Sequence, residues 1–238
     1  MEGFEGISIN TESVSNDTLL VFVLVLLSIF AVVFRQNASL LGKMFSDIGS
    51  KEQKDNMFDT ADKENFLFNG FMNFQSVALL GIYVFAWAVK TGYFVMPDTK
   101  TTLLTVSVLM LIFFIFYLLR KMIYSGLLYI FAESADYSFL RIYYRSMFQL
   151  WGVFLYIPVL WILLVEDYIL FSIILLIISY LIVRIILTFR FIYIFFGKNI
   201  WFLFLSLYLC TQEIVPLVFL YKGLIYLYNI IGNSNIWQ

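Results

Sequence analysis

The sequence predicts an all-α fold: a polytopic transmembrane helical bundle of about six spans, organised as one integral-membrane domain over residues 1–238. Composition is the first observation behind this class. Of the 238 residues, 62% are hydrophobic and 13% are charged, whereas soluble domains have about 45–50% apolar and about 25% charged residues. A core of this size cannot hide the excess apolar surface, so the surrounding solvent must be lipid.

The second observation is a series of six apolar runs of about 20 residues, the length that crosses roughly 30 Å of hydrocarbon. Each run must be a helix, because a segment in lipid has to satisfy its backbone hydrogen bonds internally. The runs are apolar on all sides and lack the alternating polarity of β-barrel strands. They cover residues 18–34, a segment within 66–89, and residues 102–119, 146–165, 168–189 and about 200–221.

The distribution of basic residues is the third observation, and it predicts that both termini lie outside. The acidic N-terminal tail (residues 1–17) contains no Lys or Arg, so it differs from a signal peptide, which carries positive charge before its apolar core. With this tail outside, only Lys90, Lys100 and Lys222 of the 15 Lys and Arg residues fall on the outer side. The excess of basic residues in the inner loops follows the positive-inside rule.

Three segments are not expected to cross the membrane by themselves. The inner loop (residues 35–65) contains an amphipathic stretch at 40–48, expected at the membrane surface or as a docking site for a partner, and then a charged connector. Residues 122–132 are too short to cross, and they extend the third helix, lie at the interface or form a re-entrant turn. Residues 223–231 are also short and are expected on the outer surface.

One polar cluster lies inside the predicted sixth span. Thr211, Gln212 and Glu213 precede Pro216, which has no N–H and crowds the carbonyl of Gln212, so the helix should bend here. In a structural interpretation, these polar side chains join the bend to neighbouring helices. In a functional interpretation, Glu213 titrates or binds a cation beside a pathway, because an intramembrane carboxylate is costly unless it is paired or protonated.

Arg184 is a second charged residue at membrane depth, in the predicted fifth span. It lies about 16 residues from the outer end of that span, or roughly 24 Å, and Glu213 lies only about 12 Å deep. We therefore expect Arg184 to extend toward the inner headgroups. A direct pair with Glu213 is the alternative, at the limit of what the two side chains can reach.

A polar stripe lies on the predicted second span. Asn69, Asn73 and Ser76 share one helical face, with Gln75 nearby, and Gln149 in the fourth span lies at a similar depth. Such stripes ordinarily form interhelical hydrogen bonds. The alternative is that Asn69 and Asn73 line a polar conduit.

A group of basic residues is expected at the inner surface. The positive-inside rule explains them without further function, but they are also candidate contacts for the headgroups of anionic lipids. The group consists of Arg120, Lys121, Arg141 and Arg145.

Several function classes are excluded or disfavoured by what the sequence lacks. It has no histidine and a single cysteine, which excludes histidine-based proton relays, Ser-His triads and intrachain disulfides. The net charge of −1 argues against nucleic acid as a partner. No HExxH, P-loop or GxSxG motif is present, and the sequence indicates no catalytic residue, cofactor or metal site. Membrane lipids and other membrane proteins are the expected partners.

The C-terminal stretch LYLCTQEIVPLVFLYK carries a family resemblance. It is similar to a multi-pass membrane family of Bacteroidota that is known as a domain of unknown function, and the family would cover most of the chain by length. The resemblance implies a location in the bacterial inner (cytoplasmic) membrane and no established activity, and it transfers no catalytic residue. The residues that carry it are Tyr208-Leu209-Cys210, Glu213-Ile214, Pro216-Leu217 and Lys222.

Two functions follow as hypotheses. The first is a non-catalytic partner or assembly subunit in cell-envelope biogenesis or secretion, because the loops are small and the inner loop holds an amphipathic stretch. The second is a carrier of a small solute, ion or lipid that uses Glu213 at the bent helix, with Asn69 and Asn73 along the path. A lipid-modifying enzyme ranks third, because no recognised catalytic constellation appears.

Overall fold

The computed structural model describes residues 11–36, 66–93, 99–131, 134–165 and 168–195, together with residues 206, 218, 221–223 and 225. Within this part of the chain all regular structure is helical, which confirms the predicted all-α class there. The helices are α1 (Thr11–Gln36), α2 (Phe66–Lys90), α3 (Thr99–Phe131), α4 (Ser134–Phe154), α5 (Tyr156–Leu164) and α6 (Ile169–Phe195).

Five stretches are long and apolar enough to cross a membrane, and they correspond to the first five predicted spans. The chain therefore has transmembrane helical character. Most of the predicted sixth span and nearly all of the inner loop lie outside the described residues, so the count of six spans and the outer placement of both termini stay predictions. The five stretches are Asp17–Gln36, Phe68–Lys90, Lys100–Ile130, Leu140–Leu164 and Ile169–Ile192.

The third helix is much longer than the predicted run of residues 102–119. It continues without interruption to Phe131, over 33 residues, which corresponds to about 50 Å at 1.5 Å per residue. Of the three alternatives for residues 122–132, extension of this helix is therefore confirmed as far as Phe131. Arg120 and Lys121 are good helix formers, so the charged pair that ends the apolar run does not end the helix.

The fourth predicted span consists of two helices, α4 and α5, which are separated at Leu155. Pro158 lacks the N–H that would bond to the Phe154 carbonyl, so one helical hydrogen bond is missing. Leu155 itself keeps right-handed helical dihedrals (φ −63, ψ −21). Its N–H bonds to the Trp151 carbonyl at 3.0 Å and its carbonyl accepts from the Val159 N–H at 3.1 Å. The interruption is therefore the loss of one helical hydrogen bond, and the backbone keeps its helical conformation at Leu155.

The chain divides into two compact units, which are described separately. Unit 1 contains Met1–Phe113 and Ser146–Val183, and unit 2 contains Phe114–Arg145 and Arg184–Gln238. The single domain over residues 1–238 stays a prediction.

Helix α2 forms the centre of unit 1. It is largely buried along its length, whereas α1 is largely exposed, and α1, α2 and α5 contact one another. Small residues bring other helices close to α2: a Cβ added at Gly152 of α4 would collide with the Ser76 side chain, and one added at Gly81 would lie 3.3 Å from the backbone nitrogen of Met110 in α3. Glycines permit such close approach of membrane helices.

Tyr124 of α3 organises unit 2. Its ring stacks on Tyr144 of α4 with centroids 4.2 Å apart and meets Phe191 of α6 edge-on at 5.7 Å. Its hydroxyl donates a hydrogen bond to the Leu140 carbonyl oxygen at 3.0 Å. One aromatic side chain therefore joins three helices by packing and by a buried hydrogen bond.

Candidate functional site

The polar cluster predicted at the bent sixth span lies outside the described residues. Thr211, Gln212, Glu213 and Pro216 all fall in this part of the chain. The bend, the intramembrane carboxylate and the alternative pair between Glu213 and Arg184 therefore stay predictions.

The structure brings Asn69 of α2 together with Gln149 of α4. Gln149 Nε2 donates to Asn69 Oδ1 at 3.1 Å and lies 3.4 Å from the Asn69 carbonyl oxygen. Gln149 is fully buried and Asn69 is half-buried, and this amide contact joins two spans of unit 1. An interhelical hydrogen bond of this kind is the ordinary role of such a pair.

Among the described residues, no hydrogen bond joins the rest of the polar stripe to a neighbouring helix. Ser76 donates to the Met72 carbonyl oxygen of its own helix at 2.9 Å, and its side chain packs against Gly152. Asn73 Oδ1 is buried and has no hydrogen-bond partner in the described part of the chain. The stripe therefore combines one satisfied amide pair, one close packing contact and one unpartnered oxygen.

Gln75 is the least expected member of the polar group on α2. Its side chain is 0% exposed, and within the described ranges neither Nε2 nor Oε1 has a hydrogen-bond partner. By helical spacing it shares a face with the buried Met72 and Leu79. An unsatisfied buried polar group costs about 1–3 kcal/mol. Sequence analysis placed Gln75 near the stripe but gave it no role, because an amide's partners cannot be read from its own helix.

Another unpartnered polar atom belongs to the same core. The hydroxyl of Tyr156 in α5 is buried and has no hydrogen-bond partner among the residues that the structure describes. The Tyr156 ring lies 6.0 Å from the ring of Phe30 in α1, and Phe30 packs against the buried Phe68 and Met72 of α2. Unit 1 thus holds unused hydrogen-bonding capacity in the apolar core shared by α1, α2 and α5.

Ser172 of α6 makes a buried contact that sequence analysis missed. Its hydroxyl forms hydrogen bonds with the Pro158 carbonyl oxygen at 3.0 Å and with the Tyr83 hydroxyl at 3.3 Å. Ser172 is fully buried and Tyr83 nearly so. The contact joins α2, α5 and α6 close to the proline that separates α4 from α5. A sequence signal for Ser172 and Tyr83 was available, because each is a polar residue inside an apolar run.

Lys90 marks the end of α2 and caps a neighbouring helix. Its Nζ donates to the carbonyl oxygen of Val165, the residue after α5, at 2.8 Å. A cation near the C-terminus of a helix also interacts favourably with the helix dipole. The C-terminal ends of α2 and α5 therefore lie together, as expected for two spans that run in the same direction.

Unit 2 brings three of the four predicted basic residues together. Lys121 of α3 lies within electrostatic reach of Arg141 and Arg145 of α4. Arg141 is exposed, whereas Lys121 and Arg145 are half-buried.

The remaining arginines of this region are placed differently. Arg120 extends over the ring of Phe116 on its own helix, with Cζ 5.7 Å from the ring centroid. Arg190 of α6 lies 5.7 Å from the ring centroid of Tyr143, a contact that sequence analysis missed. Arg184 is half-buried in α6. Cation–π contacts of this kind satisfy guanidinium groups at the edge of an apolar region.

The described residues define a helical membrane protein with a buried polar stripe in one unit and a basic cluster in the other. Within this part of the chain, no three His, Cys, Asp or Glu residues converge as metal ligands do. A family model described as "Domain of unknown function (DUF4271)" matches residues 19–224. The chain therefore belongs to this family, which confirms the predicted membership of a domain-of-unknown-function family, while the Bacteroidota source and the multi-pass topology stay predictions. Comparisons with curated proteins and with solved structures gave no match.

Proposed function

We propose that the protein is a non-catalytic subunit of the bacterial inner membrane that binds membrane-protein partners in cell-envelope biogenesis or secretion. The observation that carries the proposal is an exposed apolar surface on the C-terminal part of α3. In this surface Met122 is 71%, Tyr129 82% and Ile130 71% exposed. All three follow the basic pair Arg120 and Lys121 in the chain.

The length of α3 explains why this surface needs a cover. The apolar stretch Lys100–Ile130 has 31 residues, or about 46 Å, against roughly 30 Å of hydrocarbon. Even a tilt of about 40° leaves a projection of about 36 Å. The end of the helix therefore extends past the hydrocarbon, where large apolar side chains meet water or headgroups. Covering them contributes roughly 25 cal/mol per Å² of buried apolar area.

Site-specific photocrosslinking in native membranes tests this proposal. A photoreactive residue replaces Tyr129, and the control carries the same residue at Leu104, which is exposed on the same helix inside the apolar stretch. We expect position 129 to give one discrete protein adduct and position 104 to give lipid adducts. Affinity capture should then recover the same protein in stoichiometric amount. A protein that purifies alone, with lipid adducts at both positions, would contradict the proposal.

A carrier is the second candidate, and the unpartnered Gln75 amide and Asn73 oxygen support it. Polar groups without partners inside a membrane bundle are typical of substrate paths. The test uses a Cys210→Ser background with a new cysteine at Asn73 or at the buried Leu79. A carrier predicts that a water-soluble thiol reagent modifies position 73 but not position 79. Resistance of both positions to modification would count against a path along α2.

A further inference from the structure

We propose that the face between α3 and α4 in unit 2 binds the phosphate group of an anionic phospholipid through Lys121, Arg141 and Arg145. This site is independent of the partner surface proposed above. The proposal rests on where Lys121 points, on the charges that it faces, and on the rigidity of the helices that hold them.

Lys121 is half-buried at the edge of the packing face of α3. Tyr117, Tyr124 and Leu128 lie one turn before it, one turn after it and two turns after it, and all three are buried. By helical spacing Lys121 shares their face. An apolar residue is expected at such a position, because a cation on a packing face loses hydration without gaining van der Waals complementarity. A cation here indicates that something negative belongs beside it.

The helix that Lys121 faces supplies two more cations. Arg141 and Arg145 are one turn apart on α4, and the positive charges of both act on Lys121. The charge of Arg145 also reaches the buried Tyr117 hydroxyl. Three like charges on facing helices repel one another, so an anion between them converts repulsion into attraction. Guanidinium groups bind phosphate oxygens with paired N–H donors.

The scaffold prevents the cations from separating. The Tyr124 and Tyr144 rings stack at 4.2 Å, and the Tyr124 hydroxyl holds the Leu140 carbonyl oxygen at 3.0 Å. One turn further, Ser125 Oγ lies 2.9 Å from the Tyr137 hydroxyl. These contacts fix α3 against α4 on the C-terminal side of Lys121, and on α4 they lie before and after Arg141. The site is therefore organised before a ligand arrives, which lowers the entropic cost of binding.

The position of the cluster along α3 indicates a lipid headgroup as the source of the phosphate. Lys121 follows the start of the apolar stretch at Lys100 by about 30 Å of helix, the thickness of the hydrocarbon. Basic pockets between transmembrane helices at this depth bind anionic headgroups. Leu118 and Phe114 lie one and two turns toward the bilayer centre from Lys121, and both are exposed. They offer an apolar surface to an acyl chain, which a free phosphate would not use.

Lipid titration of the purified full-length protein in a neutral detergent tests the site. The probes are phosphatidylglycerol, phosphatidylcholine and inorganic phosphate. The variants are Lys121→Gln and Arg141→Gln, with Arg120→Gln as the matched control, since it removes one charge from the adjacent residue on another face. Arg141→Lys retains the charge. Thermal unfolding without lipid shows that each variant is folded.

We expect saturable binding of phosphatidylglycerol that Lys121→Gln and Arg141→Gln weaken about tenfold, the loss expected when a charge-assisted hydrogen bond is removed. Arg120→Gln should change the affinity less than about twofold, and Arg141→Lys should bind better than Arg141→Gln. Equal losses in all glutamine variants would show a diffuse electrostatic effect and overturn the site. Equal binding of phosphatidylcholine, or binding of inorganic phosphate without lipid, would overturn the assignment to an anionic lipid.

Discussion

Gln149 donates a hydrogen bond from Nε2 to Oδ1 of Asn69, across 3.1 Å between two spans that are 80 residues apart in the chain. Gln149 is fully buried, so its amide depends on this partner, whereas Asn69 is half-buried. The bond fixes the relative rotation of α2 and α4 in unit 1. It also sets the level at which Ser76 and Gly152 meet, two turns further along α2 and one turn further along α4.

The amide pair predicts a measurable coupling between α2 and α4. Asn69→Leu and Gln149→Leu should each lower the free energy of unfolding, because each leaves one buried amide without its partner. The double variant should be less unstable than the sum of the two, with a coupling energy of about 0.6 kcal/mol and at most about 1.7 kcal/mol. Reversible unfolding in mixed micelles measures all four states of the cycle. Strict additivity would mean that the two amides do not interact in the membrane.

Gln75 and Gln149 should respond in opposite directions to the same substitution. Gln75→Leu is expected to raise the free energy of unfolding by about 1–3 kcal/mol, since it removes two buried polar atoms that have no partners. Gln149→Leu is expected to lower it. Thermal unfolding of both variants under one condition provides the comparison, and each serves as the control for the other. Destabilisation by Gln75→Leu would show that the amide has a partner in the membrane.

The approach of α4 to α2 predicts a strong position dependence for glycine replacement. Gly152→Ala should lower the unfolding free energy by about 1–3 kcal/mol, because the added methyl group collides with the Ser76 side chain. Gly126→Ala in α3 is the matched control, as a Cβ there meets nothing within 4 Å. That variant should gain up to about 1 kcal/mol from helix propensity. Similar melting temperatures for the two variants would contradict the close crossing.

Ser172, which is buried in α6, predicts a difference in stability between two serine substitutions. Ser172→Ala removes the hydrogen bonds to Pro158 and Tyr83 and should cost about 0.5–1.5 kcal/mol of unfolding free energy. Ser107→Ala is the control, because Ser107 is exposed and donates only to the Leu103 carbonyl oxygen of its own helix. Thermal unfolding of the two variants checks the difference. Equal stability would mean that Ser172 does not join α6 to its neighbours.

Hydropathy alone locates five of the spans. An apolar run of about 20 residues must be a helix in lipid, because its backbone groups have to be hydrogen-bonded within the segment. Hydropathy fails at the ends of α3 and α4. Arg120 and Lys121 end the apolar run in composition, but a charged pair does not interrupt helical hydrogen bonding. The helix therefore continues to Phe131. Similarly, α4 begins at Ser134, well before the predicted start at residue 146.

Contacts between helices were less accessible to sequence analysis than the helices themselves. The shared depth of Asn69 and Gln149 follows from counting residues, and that pair could be anticipated. The contact of Ser172 with the Pro158 carbonyl could not be, because it depends on which faces of α5 and α6 meet. The break between α4 and α5 was not predicted, although the missing N–H of Pro158 is a sequence signal for it.

The polarity of α2 has a consequence for how the chain is made. Of the five candidate spans it is the least apolar and also the most buried. When α2 leaves the ribosome, Gln149 has not yet been synthesised, and Asn69 must face either the insertion channel or bare acyl chains. Stable integration of α2 is therefore expected only after α4 emerges, so the insertion machinery has to retain α2 until α4 has been synthesised.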